Sequence, residues 1–104
     1  MNWSEAHSKS EVLATLAHQA RRDGRLEAAR EHFRRAAELE HAALDALDRN
    51  RPRTLGITAV SAAALFFKGG ELAKAEQLAH QAMAMTDLPS FARDQLRSLL
   101  QAIP

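Results

Sequence analysis

Residues 24–36 of the chain read GRLEAAREHFRRA, and residues 70–82 read GELAKAEQLAHQA. Both segments begin with glycine, a charged residue and leucine, and both have alanine at their sixth and thirteenth positions. Their apolar residues recur every three or four positions, which is the spacing that lines one face of an α-helix. Because helical periodicity also precedes each glycine, the two segments predict a repeated pair of helices joined by a glycine turn.

The composition of the whole chain points to the same fold class. Alanine occurs 22 times and leucine 14 times in 104 residues, whereas valine and isoleucine together occur only four times. Alanine and leucine lose little side-chain freedom in a helix, while β-branched residues favour strands. The length fits one hydrophobic core. We therefore expect a single all-α domain over residues 1–104.

Glycine and proline divide the chain into five predicted helices. The breaks fall at Gly24, Pro52, the Gly69-Gly70 pair and Pro89. Glycine closes helices in a left-handed conformation, and proline is tolerated in a first helical turn. The predicted helices cover about residues 4–22, 25–49, 52–68, 71–86 and 90–102. Because the links between them are short, consecutive helices should be antiparallel neighbours.

The apolar residues predict which helix faces are buried. The first helix, which could begin at Ser4 or Ser8, has one apolar side formed by Val12, Leu13, Leu16, Ala17 and Ala20. The second has a broad stripe of Leu26, Ala29, Phe33, Ala36, Ala37, Leu39, Ala43, Leu44 and Leu47. The third is apolar or small on every side from Ile57 to Phe67. It should therefore be a buried central helix or present apolar surface to a partner.

The glycine-centred repeat resembles the tetratricopeptide repeat (TPR), whose two-helix unit places small residues where helices approach closely. Ala29, Ala36, Ala75 and Ala82 stand at such positions. The two glycines are 46 residues apart, so the long second helix and the turn after it extend the usual period. The resemblance implies a TPR-like α-α superhelix of two antiparallel helix pairs, with residues 90–102 as a C-terminal capping helix.

The resemblance also implies a concave groove lined by the first helix of each pair. The groove positions are Glu11, Ala14, His18, Arg21 and Arg22 in the first unit, Ile57, Val60, Ala64, Phe67 and Lys68 in the second, and Asp94, Ser98 and Gln101 at the rim. This groove is cationic at one end and apolar along the other. Ala14 and Ala64 replace residues with which some TPR domains clamp a terminal carboxylate, so the resemblance does not extend to that subclass.

Six arginines lie within fifteen residues, at Arg21, Arg22, Arg25, Arg30, Arg34 and Arg35. They form either a charged face that keeps the helix soluble or a surface that recognises acidic peptide groups through bidentate contacts. Nucleic acid is a weaker alternative and is not predicted. The whole chain balances 14 basic against 13 acidic residues, and it has too few aromatic residues to stack bases.

The histidines do not have the spacing of a metal site. The chain has no His-Glu-x-x-His motif and only one Glu-x-x-His, at Glu38 and His41, whereas di-iron bundles need two. Each histidine is therefore predicted to lie at the surface. Cysteine is absent, and no catalytic triad or phosphate-binding glycine loop is recognisable. We predict neither an enzyme nor a bound metal or cofactor.

The function that follows is a protein–protein interaction module that binds a peptide or helix of another protein. The alternative is self-association, in which a homodimer completes a short solenoid through the long second helix or the apolar third helix. The N-terminus lacks the blocks of a signal peptide, and the apolar run from Ile57 to Phe67 is too short to span a bilayer. The sequence therefore predicts a cytoplasmic protein that does not bind membranes.

Overall fold

The structure is a computed structural model that describes residues 1–104, and it contains five α-helices and no strand. The helices are α1 (Trp3–Arg22), α2 (Leu26–Ala46), α3 (Pro52–Lys68), α4 (Leu72–Met83) and α5 (Ser90–Ala102). The all-α prediction is therefore confirmed.

The two glycine turns have the same geometry. Gly24 and Gly70 each have a φ of 77°, in the left-handed region that other residues rarely adopt. The N–H of Arg25 donates to the carbonyl of Ala20 at 2.8 Å, and 46 residues later the N–H of Glu71 donates to Phe66 at 2.9 Å. The repeat seen in the sequence therefore extends to the hydrogen bonds that close α1 and α3.

Five helix ends differ from the predicted ones, and two of these are the starts of α2 and α4, which lie one residue later at Leu26 and Leu72. α1 begins at Trp3, because the side chain of Asn2 accepts a hydrogen bond from the N–H of Glu5 and caps the helix ahead of Ser4 and Ser8. α2 ends at Ala46, since Leu47 is extended. α4 ends at Met83, whose carbonyl accepts a hydrogen bond from Arg93 of α5 at 2.7 Å. Side chains cap the start of α1 and the end of α4, and apolar spacing alone does not reveal such contacts.

The helices pack mainly with their neighbours along the chain. α1 packs on α2, α2 on α3, α3 on α4, and α5 against both α3 and α4. α3 is therefore the central helix, and its apolar sequence is explained by burial from Leu55 to Phe66. α1 and α3 run in the same direction, because Trp3 near the start of α1 donates to Thr58 near the start of α3.

Small side chains dominate the core. Fourteen of the 22 buried hydrophobic residues are alanine, so the helix backbones approach closely over much of the interior. The four alanines predicted at close-approach positions are all among them. The two buried phenylalanines stand at different positions in the two repeats. Phe33 lies on α2 where α4 has Ala79, and Phe66 lies on α3 where α1 has Ala20.

Three residues predicted on buried faces are exposed. Val12 is 62%, Leu16 42% and Leu26 66% exposed. The buried face of α1 instead consists of Ala6, Ser10, Ala17 and Ala20, so α1 is rotated relative to the face predicted from its larger apolar residues. Ser10 anchors this rotation, because its hydroxyl donates to the carbonyl of Ala36 on α2 at 2.9 Å.

Candidate functional site: the groove between α1 and α3

A groove of about 300 Å³ runs between α1 and α3, with α2 as its floor. Its walls are lined by His7, Ser10, Glu11, Ala14 and His18 of α1 and by Ser61, Ala64, Leu65 and Lys68 of α3, and Glu40 of α2 lies at the floor. The structure therefore brings together Glu11, Ala14, His18, Ala64 and Lys68, which the sequence assigned to a groove.

Short side chains keep this groove open. Ala14 faces it from α1, and Ser61 and Ala64 face it from α3. None of these side chains is long enough to cross to the other helix. At one end the indole Nε1–H of Trp3 donates to the hydroxyl of Thr58 at 3.1 Å, which ties the two helices together. The groove is thus a gap between helices that are joined at one end.

A histidine held between two carboxylates forms the acidic end of the groove, defined by His7, Glu11 and Glu40. The Nδ1 of His7 lies 2.9 and 3.2 Å from the two carboxylate oxygens of Glu40, and its Nε2 lies 2.6 Å from Glu11. Trp3 stacks on the imidazole with a ring-centroid distance of 4.7 Å. With both ring nitrogens facing carboxylates, the imidazole donates from each when protonated.

This arrangement explains how Glu40 is tolerated with only 1% of its surface exposed. A buried carboxylate is costly unless it is paired and hydrogen-bonded. Burial disfavours the charged imidazole, but the hydrogen bonds and negative charges of Glu40 and Glu11 outweigh it and raise the pKa of His7 above 6.5. When protonated, His7 supplies the positive charge that a buried Glu40 carboxylate needs, and its raised pKa favours that form.

Arg21 and Lys68 place two cationic groups at the other end of the groove, the basic end, which is defined by these residues and His18 around the ring of Phe33. The guanidinium of Arg21 lies 5.4 Å and the ammonium of Lys68 5.8 Å from the ring centroid, both in cation–π range. The imidazole of His18 meets the same ring edge-on, with the ring centroids 5.1 Å apart. The guanidinium of Arg21 donates a hydrogen bond to the Nδ1 of His18 at 3.0 Å. A hollow of about 150 Å³ opens beside Phe33 between Arg21 and Lys68.

The positive charge at the basic end has no internal counter-ion. Burial, together with the positive charges of Lys68, Arg21 and Arg22, lowers the pKa of His18 below 6.5. All three cations therefore lie near enough to this imidazole to disfavour its protonated form. No carboxylate forms an ion pair with any of the three. Arg34, by contrast, pairs with Glu31 and Glu71. The basic end is therefore open to an anion from outside the chain.

The other predicted partner-binding residues lie around this groove or apart from it. Arg22 is exposed at the end of α1, and Ile57 is 46% exposed on α3. Val60 and Phe67 are half-buried and pack on the core. They share a face of α3 with Gly56, which lies against α5, and they do not line the cavity. Asp94 is exposed on α5 and accepts a hydrogen bond from Arg97.

Sequence reasoning missed the acidic end. It predicted surface histidines, whereas His7 is half-buried and paired with a buried carboxylate. The available signal was Glu40 itself, because it continues the stripe of Phe33, Ala36 and Ala37 at helical spacing. A carboxylate on a buried face requires a partner, and the nearest candidates are basic or imidazole groups on the neighbouring helix.

The structure contains no group of three or more histidine, aspartate or glutamate side chains arranged to hold a metal ion. At the Glu-x-x-His motif, Glu38 pairs with Lys74 at 3.0 Å, and the ring of His41 packs edge-on against Phe66. None of the helices combines the length and the apolar character that crossing a membrane requires.

Comparison of the chain with protein-family models, with curated proteins and with solved structures found no match. The groove and the charges at its two ends are therefore the features that bear on function.

Proposed function

We propose that this chain is a non-enzymatic interaction module of TPR-like architecture, in which the groove between α1 and α3 binds a peptide or short helix of another protein. The observation that supports the proposal is the open cavity of about 300 Å³ between these two helices. The groove is concave and open to solvent, and it lies between two helices, which is where ligand and peptide sites are commonly found. An unfilled groove along two helices favours a surface that a partner fills.

The dimensions of the groove suit a short segment. From His7 to His18 the groove follows α1 for about 17 Å, at about 1.5 Å per residue. An extended peptide advances about 3.3 Å per residue, so about five residues would lie along it. The Ser61 hydroxyl in the groove wall offers a hydrogen bond to such a peptide, and Leu65 offers apolar contact.

Substitution of Ala64 with tryptophan tests this function, because the indole would occupy the groove. Peptides selected from a random display library against the wild-type protein should bind A64W at least about tenfold more weakly. Fluorescence anisotropy measures the affinities, and amide chemical shifts locate the bound peptide. We expect the shifts to concentrate around Ala14, Ser61 and Ala64.

The matched control is Ala73→Trp, the same change on the exposed surface of α4. Circular dichroism of both variants checks that the helices remain folded, and A73W should bind like the wild type. Unchanged affinity of A64W for every selected peptide, or shifts that map away from α1 and α3, would refute the groove as the binding site.

Self-association is a second candidate, favoured by an apolar patch on the outer face of α1 and α2. The patch consists of exposed Val12 and Leu16 with half-buried Leu13 and Leu39. Two such patches would cover each other in a symmetric dimer. A dimer through α3 is less favoured, since Ile57 is its only exposed large apolar residue. A strict monomer in sedimentation experiments over a wide concentration range would remove this candidate.

A further inference from the structure

We propose that the basic end of the groove is a carboxylate-binding subsite that selects an acidic side chain, glutamate or aspartate, of the bound peptide. The inference rests on the proposed function, because the acidic residue belongs to the segment that fills the groove. It assigns Arg21 and Lys68 as the recognising residues, and Phe33 as the surface on which they are held.

The first argument is the convergence of cations from two helices. Arg21 of α1 and Lys68 of α3 lie 5.4 and 5.8 Å from the same ring centroid, and Phe33 beneath them is 2% exposed. The two cations repel each other, weakly while water screens them, and the ring supplies no full counter-charge. A carboxylate in the adjoining hollow of about 150 Å³ would relieve that repulsion.

The second argument is that the chain supplies no such carboxylate itself. Ion pairs occupy two basic residues nearby, with Arg34 bound by Glu31 and Glu71 and Lys74 bound by Glu38, while Arg30, which also lines the hollow, adds a third cation without an ion pair. Arg21 and Lys68 are left with donors unused by any internal anion. Arginine presents its donors in a planar fork that matches a carboxylate, and lysine adds a second charge from the opposite helix.

The third argument distinguishes a peptide from a nucleic acid. The acidic end of the same groove carries the carboxylates of Glu11 and Glu40, which would repel a continuous run of phosphates. The Phe33 ring is buried and cannot stack with a base. A peptide segment with an acidic residue at only one end can pair with the basic end and places no negative charge at the acidic end. Bound in this way, the acidic residue lies near the C-terminal end of α1.

The test uses three pools of octapeptides that are acetylated and amidated, so that no terminal carboxylate is present. The pools are identical except for one fixed residue, which is Glu, Gln or Lys. Binding to the wild-type protein is followed by NMR. We expect the Glu pool to bind about tenfold more tightly than the Gln pool, as charge-assisted hydrogen bonds replace neutral ones. The pKa of His18 should rise on binding, because a carboxylate offsets the neighbouring positive charges.

The double variant Arg21→Gln/Lys68→Gln should lose the preference for the Glu pool, and Arg49→Gln should keep it. Arg49 is a suitable control because it is exposed in the turn after α2 and forms no ion pair. Equal binding of the Glu and Gln pools would overturn the subsite, and the A64W experiment would still decide separately whether the groove binds peptides. Tighter binding of a twelve-nucleotide DNA strand than of the Glu pool, at equal salt, would overturn it in favour of nucleic acid.

Discussion

The two ends of the groove differ in whether their charged side chains are paired within the chain. At the acidic end, His7 faces Glu40 and Glu11 through its two ring nitrogens, and Trp3 covers the imidazole. At the basic end, Arg21 and Lys68 share the ring of Phe33, and no carboxylate pairs with either. The charges of one end are therefore satisfied within the chain, while those of the other are not.

This difference separates a structural role from a binding role within one groove. A buried charge such as Glu40 must be paired if the chain is to fold, so the acidic end contributes to stability. Solvated cations such as Arg21 can remain without partners at little cost and stay available to a ligand. Stability measurements should therefore respond strongly at the acidic end and weakly at the basic end.

The largest effect is expected for His7→Ala. This substitution leaves the Glu40 carboxylate buried without its partner, which should lower the free energy of unfolding by about 3 kcal/mol. Urea denaturation followed by circular dichroism measures the change.

Replacing Glu40 as well gives the control for this prediction. In the double variant His7→Ala/Glu40→Leu no unpaired charge remains, so most of the lost stability should return. If His7→Ala alone stays within about 0.5 kcal/mol of the wild type, Glu40 does not need His7 and the acidic end is not structural.

A smaller effect should appear in the dependence of stability on pH. The pKa of His7 is raised in the folded protein, so its contribution is complete below pH 6.5 and is lost as the pH rises through the folded pKa. The pKa of His18 is lowered, so stability also falls as the pH drops below 6.5. We therefore expect the free energy of unfolding to have a shallow maximum near pH 6.5.

Denaturation curves across pH 5–9 test this profile. His7→Asn should flatten the decline above pH 6.5, and His18→Asn should flatten the decline below it. A wild-type stability that increases steadily from pH 6.5 to pH 9 would contradict the pairing of His7 with Glu40.

The smallest effect on stability is expected for the double variant Arg21→Gln/Lys68→Gln. Removing two cations that have no internal counter-ion should change the free energy of unfolding by no more than about 0.5 kcal/mol. The pKa of His18 should move up towards 6.5, because both charges lower it in the wild type. NMR titration of the imidazole measures this movement. A loss of 2 kcal/mol or more would mean that the basic end holds the fold together, which we do not expect.

The helices and their turns were predictable because they depend on local features. Gly24 and Gly70 adopt the left-handed conformation that the sequence assigned to the helix-closing glycines. The close-approach alanines, such as Ala36 and Ala82, are buried as their spacing predicted. Both features can be read within a few residues of the chain, since they reflect backbone freedom and helical periodicity.

The details of the groove were less predictable because they depend on how each helix is rotated. α3 is apolar on all sides, so its sequence does not fix which face turns towards α1. The close approach of Gly56 to Ala92 on α5 sets that rotation, which carries Val60 and Phe67 away from the cavity and leaves Ala64 and Lys68 in it. The pair of His7 and Glu40 joins residues 33 positions apart, and only tertiary packing brings them together.

The alanine-lined core has a consequence for the mutations that the chain can accept. Fourteen buried alanines mark places where one helix backbone lies close to another. A larger side chain at such a place would push two helices apart, typically at a cost of about 1–3 kcal/mol, and glycine would cost about 1 kcal/mol in helix propensity. Both larger and smaller side chains are therefore destabilising at these positions. Substitutions that the fold tolerates should therefore be confined to the outer faces of the helices and to the walls of the groove, where Ala14, Ser61 and Ala64 border empty space and only binding would be affected.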